Sequence, residues 1–166
     1  TIKEEFGDIK NIVLAYIGDG NNVANSLILG GSILGCEVRI ACPKGYEPDS
    51  NIIEKSNKIG KSNFVLNINN DVCASVDKAN VIYTDVWASM GEEAEKDDKE
   101  KDFIGYTVDE QLLSYADNDA IVLHCLPAYR GKEITDKVIE SEQSRVFEQA
   151  ENRMHIQQAL LSCLLV

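Results

Sequence analysis

At 166 residues, with 44% hydrophobic and 27% charged side chains, the chain has the length and composition expected of one soluble globular domain. Its 28 acidic residues against 16 basic ones leave a net charge of −12, which repels a polyanionic backbone and argues against nucleic acid as a partner. Apolar runs such as Ile121-Val-Leu123 are far too short to span a bilayer, so no membrane association is expected.

Taken in chain order, Asn11-Ile-Val-Leu-Ala-Tyr-Ile17 is a short, β-branched apolar run that ends in Gly-Asp-Gly-Asn-Asn. Residues 23–34 follow with a helix-like apolar face and a glycine stop at Gly35, so the segment reads as strand, tight turn, helix. Residues 37–41 give a second strand closed by Pro43, residues 50–59 a helix ending near Gly60, and residues 63–68 a third strand. The rhythm repeats with a short helix over 71–78, a strand over 81–84, a helix over 108–115 and a strand over 120–123. The charge run between Gly91 and Asp102 reads as hydrated surface, either a solvated helix start or a mobile loop. Residues 151–166 form an amphipathic helix whose Ile156, Leu160, Leu161 and Leu164 are spaced to dock on the body.

Short apolar strands alternating with helices predict a doubly wound α/β domain, because parallel strands need crossover connections and bury both faces. In such a fold ligands bind beyond the carboxyl ends of the strands. That rule singles out residues 18–22, 85–91 and 124–127. The five cysteines, Cys36, Cys42, Cys73, Cys125 and Cys163, form no CxxC pair. Their odd number and spacing suggest a reducing compartment, with neither a structural zinc nor a disulfide framework.

Gly18-Asp-Gly-Asn-Asn22 stands where a dinucleotide-binding fold places its phosphate turn, but the third glycine is missing. The second strand ends in Cys42-Pro-Lys44 instead of the carboxylate that would hold a ribose, which weighs against a nicotinamide cofactor. The adjacent amides of Asn21 and Asn22 suit a zwitterionic amino acid, whose carboxylate could take an NH2 group and the helix-end amides. Asp85, which opens the second loop, is equally readable as a turn cap, and Trp87 and Met90 as core. His124-Cys-Leu-Pro127 could be packed rather than reactive, yet it puts a thiol and a free carbonyl at the ligand edge.

The combination is more specific than its parts. Gly18-Asp-Gly-Asn-Asn22, Pro43-Lys-Gly-Tyr-Glu-Pro48, Asp85-x-x-x-Ser-Met-Gly91, His124-Cys-Leu-Pro127 and Glu151-Asn-Arg153, in this order, resemble the ornithine carbamoyltransferase family along practically the whole chain. The resemblance implies a single ornithine-binding domain over residues 1–166. The family's Ser-x-Arg-Thr phosphate loop and His-Pro-x-Gln segment belong to a carbamoyl phosphate-binding amino-terminal domain and do not occur in these 166 residues. The chain is therefore expected to be part of a longer enzyme and inactive alone.

Carried over residue by residue, the resemblance implies that Asn22 and the Met90 backbone hold the ornithine carboxylate, while Asp85 and Ser89 hold its α-ammonium. Cys125 would lie beside the side-chain amine as a proton acceptor or orienting partner. The Leu126 carbonyl and Arg153 would face the carbamoyl group, with His124, Asn21 and Pro127 in support. A helix-start salt bridge to Glu151 is the competing reading of Arg153. The implied reaction transfers a carbamoyl group from carbamoyl phosphate to L-ornithine, giving citrulline and phosphate, and needs no metal or organic cofactor. A homotrimeric parent is implied, in the cytoplasm, or in the mitochondrial matrix if a transit peptide precedes the chain.

Overall fold

The apolar alternation along the first strand determines how the molecule is layered. In the computed structural model, which describes residues 1–88 and 96–165, β1 (Val13–Ile17) sends Leu14 and Tyr16 to one face and Ala15 and Ile17 to the other. All four are buried. A strand covered on both sides belongs at the centre of a parallel sheet, and that is its place. The strands β2 (Glu37–Ala41), β3 (Val65–Asn69), β4 (Val81–Thr84) and β5 (Ile121–His124) complete an all-parallel sheet of order β3-β2-β1-β4-β5. The expected doubly wound α/β architecture is present.

One face is covered chiefly by α2 (Asn22–Leu34), whose Ala24 and Ile28 pack over Tyr16, Val38 and Ile40. Helix α1 (Ile2–Phe6), which the periodicity did not reveal, adds half-buried Ile2 and Phe6 to that side. On the other face Val76 of α4 (Val72–Val76), Leu112 and Leu113 of α6 (Glu110–Leu113), and Val138 and Ile139 of α7 (Asp136–Ile139) close over Ala15, Ile82 and Val122. Helix α3 (Ser50–Ile59) packs beside α2. No helix among the described residues is long and apolar enough to cross a membrane.

Local signals fix the ends of these elements. Asn21 caps α2, its Oδ1 accepting from the amides of Val23 at 2.9 Å and Ala24 at 3.3 Å. Gly35 ends the helix in the left-handed region at φ 84°, which a residue without Cβ adopts freely. Asp49, Asp71, Asp109 and Thr135 cap α3, α4, α6 and α7 in the same manner.

Two expectations are corrected. The charge run is not simply hydrated surface: α5 (Lys96–Asp102) occupies its second half, and Lys99 is buried with its Nζ 2.7 Å from Asp19 Oδ2. The last helix, α8 (Val146–Leu164), starts five residues earlier than expected, and its apolar stripe does not dock. Ile156, Leu160, Leu161 and Leu164 are all more than half exposed, and Val146 is the one residue of the helix buried against the body. Periodicity identifies an apolar face but not its partner, and the helix leaves the sheet after its first turns. A mobile loop is also expected over residues 85–101; its residues 89–95 lie outside the described residues, while 96–101 are helical.

Candidate functional site at the carboxyl edge of the sheet

The chain runs from β1 outward to β2 and β3, then returns to place β4 on β1's other side and β5 beyond it. Strand order therefore reverses between β1 and β4, and the connections leaving their carboxyl ends diverge to open a crevice. Thr84 ties the two strand ends together, its hydroxyl donating to the Ile17 carbonyl at 2.7 Å. Here lies a cavity of about 800 Å3 lined by Asn22, Asp85, Cys125, Leu126, Pro127 and Arg153 among others.

Asp85 is the hub of this cavity and is only 7% exposed. Its Oδ1 accepts from the Val86 amide at 2.8 Å and from the Cys125 thiol at 3.0 Å, while Oδ2 accepts from Asn21 Nδ2 at 3.2 Å. Three neighbouring strand ends, β1, β4 and β5, are thus joined through one carboxylate. Asn21 serves twice, as helix cap and as Asp85 donor. Because the cap takes the Val23 and Ala24 amides, those amides are not offered to a ligand, contrary to expectation; Asn22, the first residue of α2, lines the cavity.

Burial, followed by the hydrogen bond to Asp85, pushes the Cys125 thiol up to about 12. It is protonated at neutral pH and acts as a donor. Burial, followed by the neighbouring Cys125, raises Tyr83 as well, and the Tyr83 hydroxyl accepts from Gln149 Nε2 at 2.8 Å. Gln149 Oε1 takes the His124 amide at 2.9 Å, which fastens α8 to the end of β5.

His124 is buried, only 1% exposed. The Leu126 amide donates to its Nδ1 at 2.9 Å, so that nitrogen carries a lone pair, and Nε2–H is directed to Glu133 Oε1 at 3.1 Å. Glu133 also accepts from the Tyr129 amide, at 2.6 Å. The histidine thereby holds Leu126 in the left-handed region, at φ 55°, where a non-glycine residue needs support. Asp85, His124 and Cys125 cluster closely enough to suggest a metal site. Both ring nitrogens of His124 and the thiol are engaged in hydrogen bonds, so the trio is a hydrogen-bonded network.

Of the residues singled out from sequence, Asn21, Asn22, Asp85, His124, Cys125, Leu126, Pro127 and Arg153 meet in or directly beneath this cavity. Ser89 and Met90 lie outside the described residues. Arg153 is exposed on α8 and makes no ion pair among the described residues, Glu151 pairing instead with His155 at 3.4 Å. Glu133, Gln149 and Tyr83 were missed. Glu133 sits in a run of mixed charge with no periodicity, and Gln149 precedes the point at which the last helix was expected to start.

A family profile described as aspartate/ornithine carbamoyltransferase, Asp/Orn binding domain, matches residues 10–164. Among proteins of known name, an ornithine carbamoyltransferase of Prochlorococcus marinus subsp. pastoris is 65% identical over 165 residues, 99% of this chain and 54% of its own length. One from Nostoc sp. is 53% identical over the same share of each. Among solved structures, ornithine carbamoyltransferase from Pyrococcus furiosus superposes with a TM-score of 0.92 at 46% identity, covering 97% of this chain and 52% of that one. The Thermus thermophilus enzyme gives 0.86 at 38% identity, with 99% and 52% covered. The chain spans about half the length of these relatives. With profile, identity and fold in agreement over nearly every residue, the chain belongs to the aspartate/ornithine carbamoyltransferase family.

Proposed function

We propose that these 166 residues are the ornithine-binding half of an ornithine carbamoyltransferase, which moves the carbamoyl group of carbamoyl phosphate to the side-chain amine of L-ornithine. The observation that carries this reading is the convergence of Asn22, Asp85, Cys125 and Arg153, from four different elements, on one cavity at the strand-order reversal. A buried carboxylate is a fitting partner for an α-ammonium, and a side-chain amide for an α-carboxylate. In this assignment Asp85, with Ser89, holds the ammonium, and Asn22, with the Met90 backbone, holds the carboxylate. Asn21, His124 and Pro127 shape the ground beneath them.

The attacking amine must be neutral, although an alkyl ammonium in water has a pKa of about 10. The Cys125 thiol, pushed up to about 12, is a poor proton acceptor; it orients Asp85 and lines an apolar flank that disfavours the charged amine. The lone pair then attacks the carbamoyl carbon. A tetrahedral intermediate forms, the carbon–oxygen bond to phosphate breaks, and nitrogen gives its proton to the departing phosphate. Arg153 meets the negative charge growing on oxygen, with the Leu126 carbonyl beside the carbamoyl nitrogen. Carbamoyl phosphate itself requires the second half present in the relatives, and positioning supplies much of the rate. The chain alone accordingly binds ornithine and does not turn it over.

Calorimetry with L-ornithine, alongside a citrulline assay with both substrates, tests the proposal. Saturable ornithine binding without citrulline is expected. Citrulline made by the mass-verified chain would sink the half-site reading, and no ornithine binding at millimolar concentration would sink the assignment of this cavity.

A further inference from the structure

Lys99 has no role in the chemistry above, yet it is 6% exposed, with its Nζ 2.7 Å from the Oδ2 of Asp19, which is 8% exposed. An ammonium and a carboxylate both lose hydration on burial, and such a pair persists where the surrounding structure fixes its geometry. Here the surroundings do so from both sides. Helix α5 is fastened to Tyr46, whose hydroxyl donates to Asp102 at 2.8 Å and whose ring centroid lies 5.8 Å from Lys99 Nζ. Phe103, one residue past the helix, meets Tyr46 edge-on at 4.9 Å and stacks on Trp87 at 5.5 Å. The turn bearing Asp19 is locked to the same loop, since the Gly20 amide donates to the Tyr46 carbonyl at 2.8 Å.

This turn matters because Asn21 follows it directly, capping α2 and donating to Asp85. We propose that Lys99 is a positioning residue: by holding Asp19 it fixes the turn between β1 and α2, keeps Asn21 on Asp85, and so sets the affinity of the cavity for its amino acid. This inference rests on the function proposed above for its ligand. Its structural half, the control of the α2 cap by a side chain 80 positions from the Asp19 it holds, is independent of that reading.

The test combines two measurements on the 166-residue chain. Amide hydrogen exchange in the ligand-free protein reports the cap directly, at Val23 and Ala24, against the strand amides of Tyr16 and Ile40. Titration with L-ornithine reports affinity. In Lys99→Met the capped amides should exchange about tenfold faster relative to the strand amides, and ornithine should bind about tenfold more weakly, with Lys99→Arg restoring both. A folded Lys99→Met with wild-type exchange at Val23 and Ala24 overturns the proposal, as does a uniform rise across cap and strands, which would mark a merely structural pair. Should Lys99→Met fail to fold, Asp19→Asn/Lys99→Met, which removes both charges of the buried pair, takes its place with the same expected and overturning results. If the wild-type chain binds no ornithine, the functional reading falls and the exchange ratio alone decides whether Lys99 positions the turn.

Discussion

The thiol of Cys125 donates to the carboxylate of Asp85 across 3.0 Å, so the residues that follow two adjacent strands are joined side chain to side chain at the floor of the cavity. Removing the donor should be felt in binding more than in folding. Cys125→Ala should weaken ornithine binding about fivefold, the worth of one hydrogen bond of about 1 kcal/mol, while Cys125→Ser, which keeps a donor, should restore most of it. Calorimetry on the three proteins checks this. Equal affinity in all three would remove Cys125 from the site.

The raised thiols give stability a defined pH dependence. Cys42 and Cys125 are both pushed up to about 12, burial being the largest cause in each, from an ordinary value of 9.0. Above about pH 9 the unfolded chain releases these protons while the folded chain retains them, so the unfolded state binds fewer protons and stability falls as pH rises. The contribution is complete below about pH 9 and disappears as pH climbs toward about 12. Thermal melts from about pH 7 to about pH 11 should show a plateau and then a decline, shallower in Cys42→Ala. A flat profile across that span would contradict the burial of both thiols.

Glu133 is nine residues from His124 in sequence and 1% exposed, and it accepts both the His124 ring proton and the Tyr129 amide. Glu133→Ala removes the acceptor of the buried His124 ring and of the part-buried Tyr129 amide bond. We expect a loss of about 2–4 kcal/mol in urea unfolding, against less than about 1 kcal/mol for Glu133→Gln, whose amide oxygen still accepts. Similar losses in the two variants would show that bulk, not hydrogen bonding, is what the position requires.

Two glycines near one helix should respond in opposite directions. A Cβ on Gly20 would stand 2.4 Å from the Pro48 nitrogen and 2.5 Å from the Tyr46 oxygen, both backbone atoms, so Gly20→Ala forces the turn away from the loop it is tied to. A cost of about 1–3 kcal/mol is expected, together with weakened ornithine binding. Gly30, inside α2, has nothing within 4 Å of its Cβ position, and Gly30→Ala should stabilise by about 0.5–1 kcal/mol through helix propensity. Chemical denaturation of both variants decides. A neutral Gly20→Ala would mean that the turn is loosely held.

The strand frame was legible because its signals are local. Leu14 and Tyr16 alternate with Ala15 and Ile17, Asn21 and Gly35 mark the two ends of α2, and loop residues at strand ends follow from the parallel fold. Asn22, Asp85 and Cys125 could therefore be placed at one cavity before any coordinates. What sequence concealed was pairing across distance. Nothing near Lys99 announces Asp19, nothing near Glu133 announces His124, and the charge of each pointed to solvent although neither is exposed. The α8 stripe misled in the opposite sense, since apolar spacing at Ile156 and Leu160 reports a face without reporting whether this chain covers it.

The central place of β1 also has a consequence for the chain as it emerges during synthesis. Leu14 pairs with Val38 early, but its other neighbour is Val81, so one edge of the first strand stays bare until β4 has been made. Through that interval a buried-type strand offers unpaired backbone groups and the apolar side chains of Ala15 and Ile17 to any other nascent chain. The site inherits the same delay, because Asp85 comes directly after β4 and its thiol partner directly after β5. A chain ending at Lys78 should accordingly self-associate in sedimentation, whereas the 166-residue protein carries no open edge beside β1. A monomeric, soluble truncation would show that α2 and the helices around it shield the waiting strand unaided.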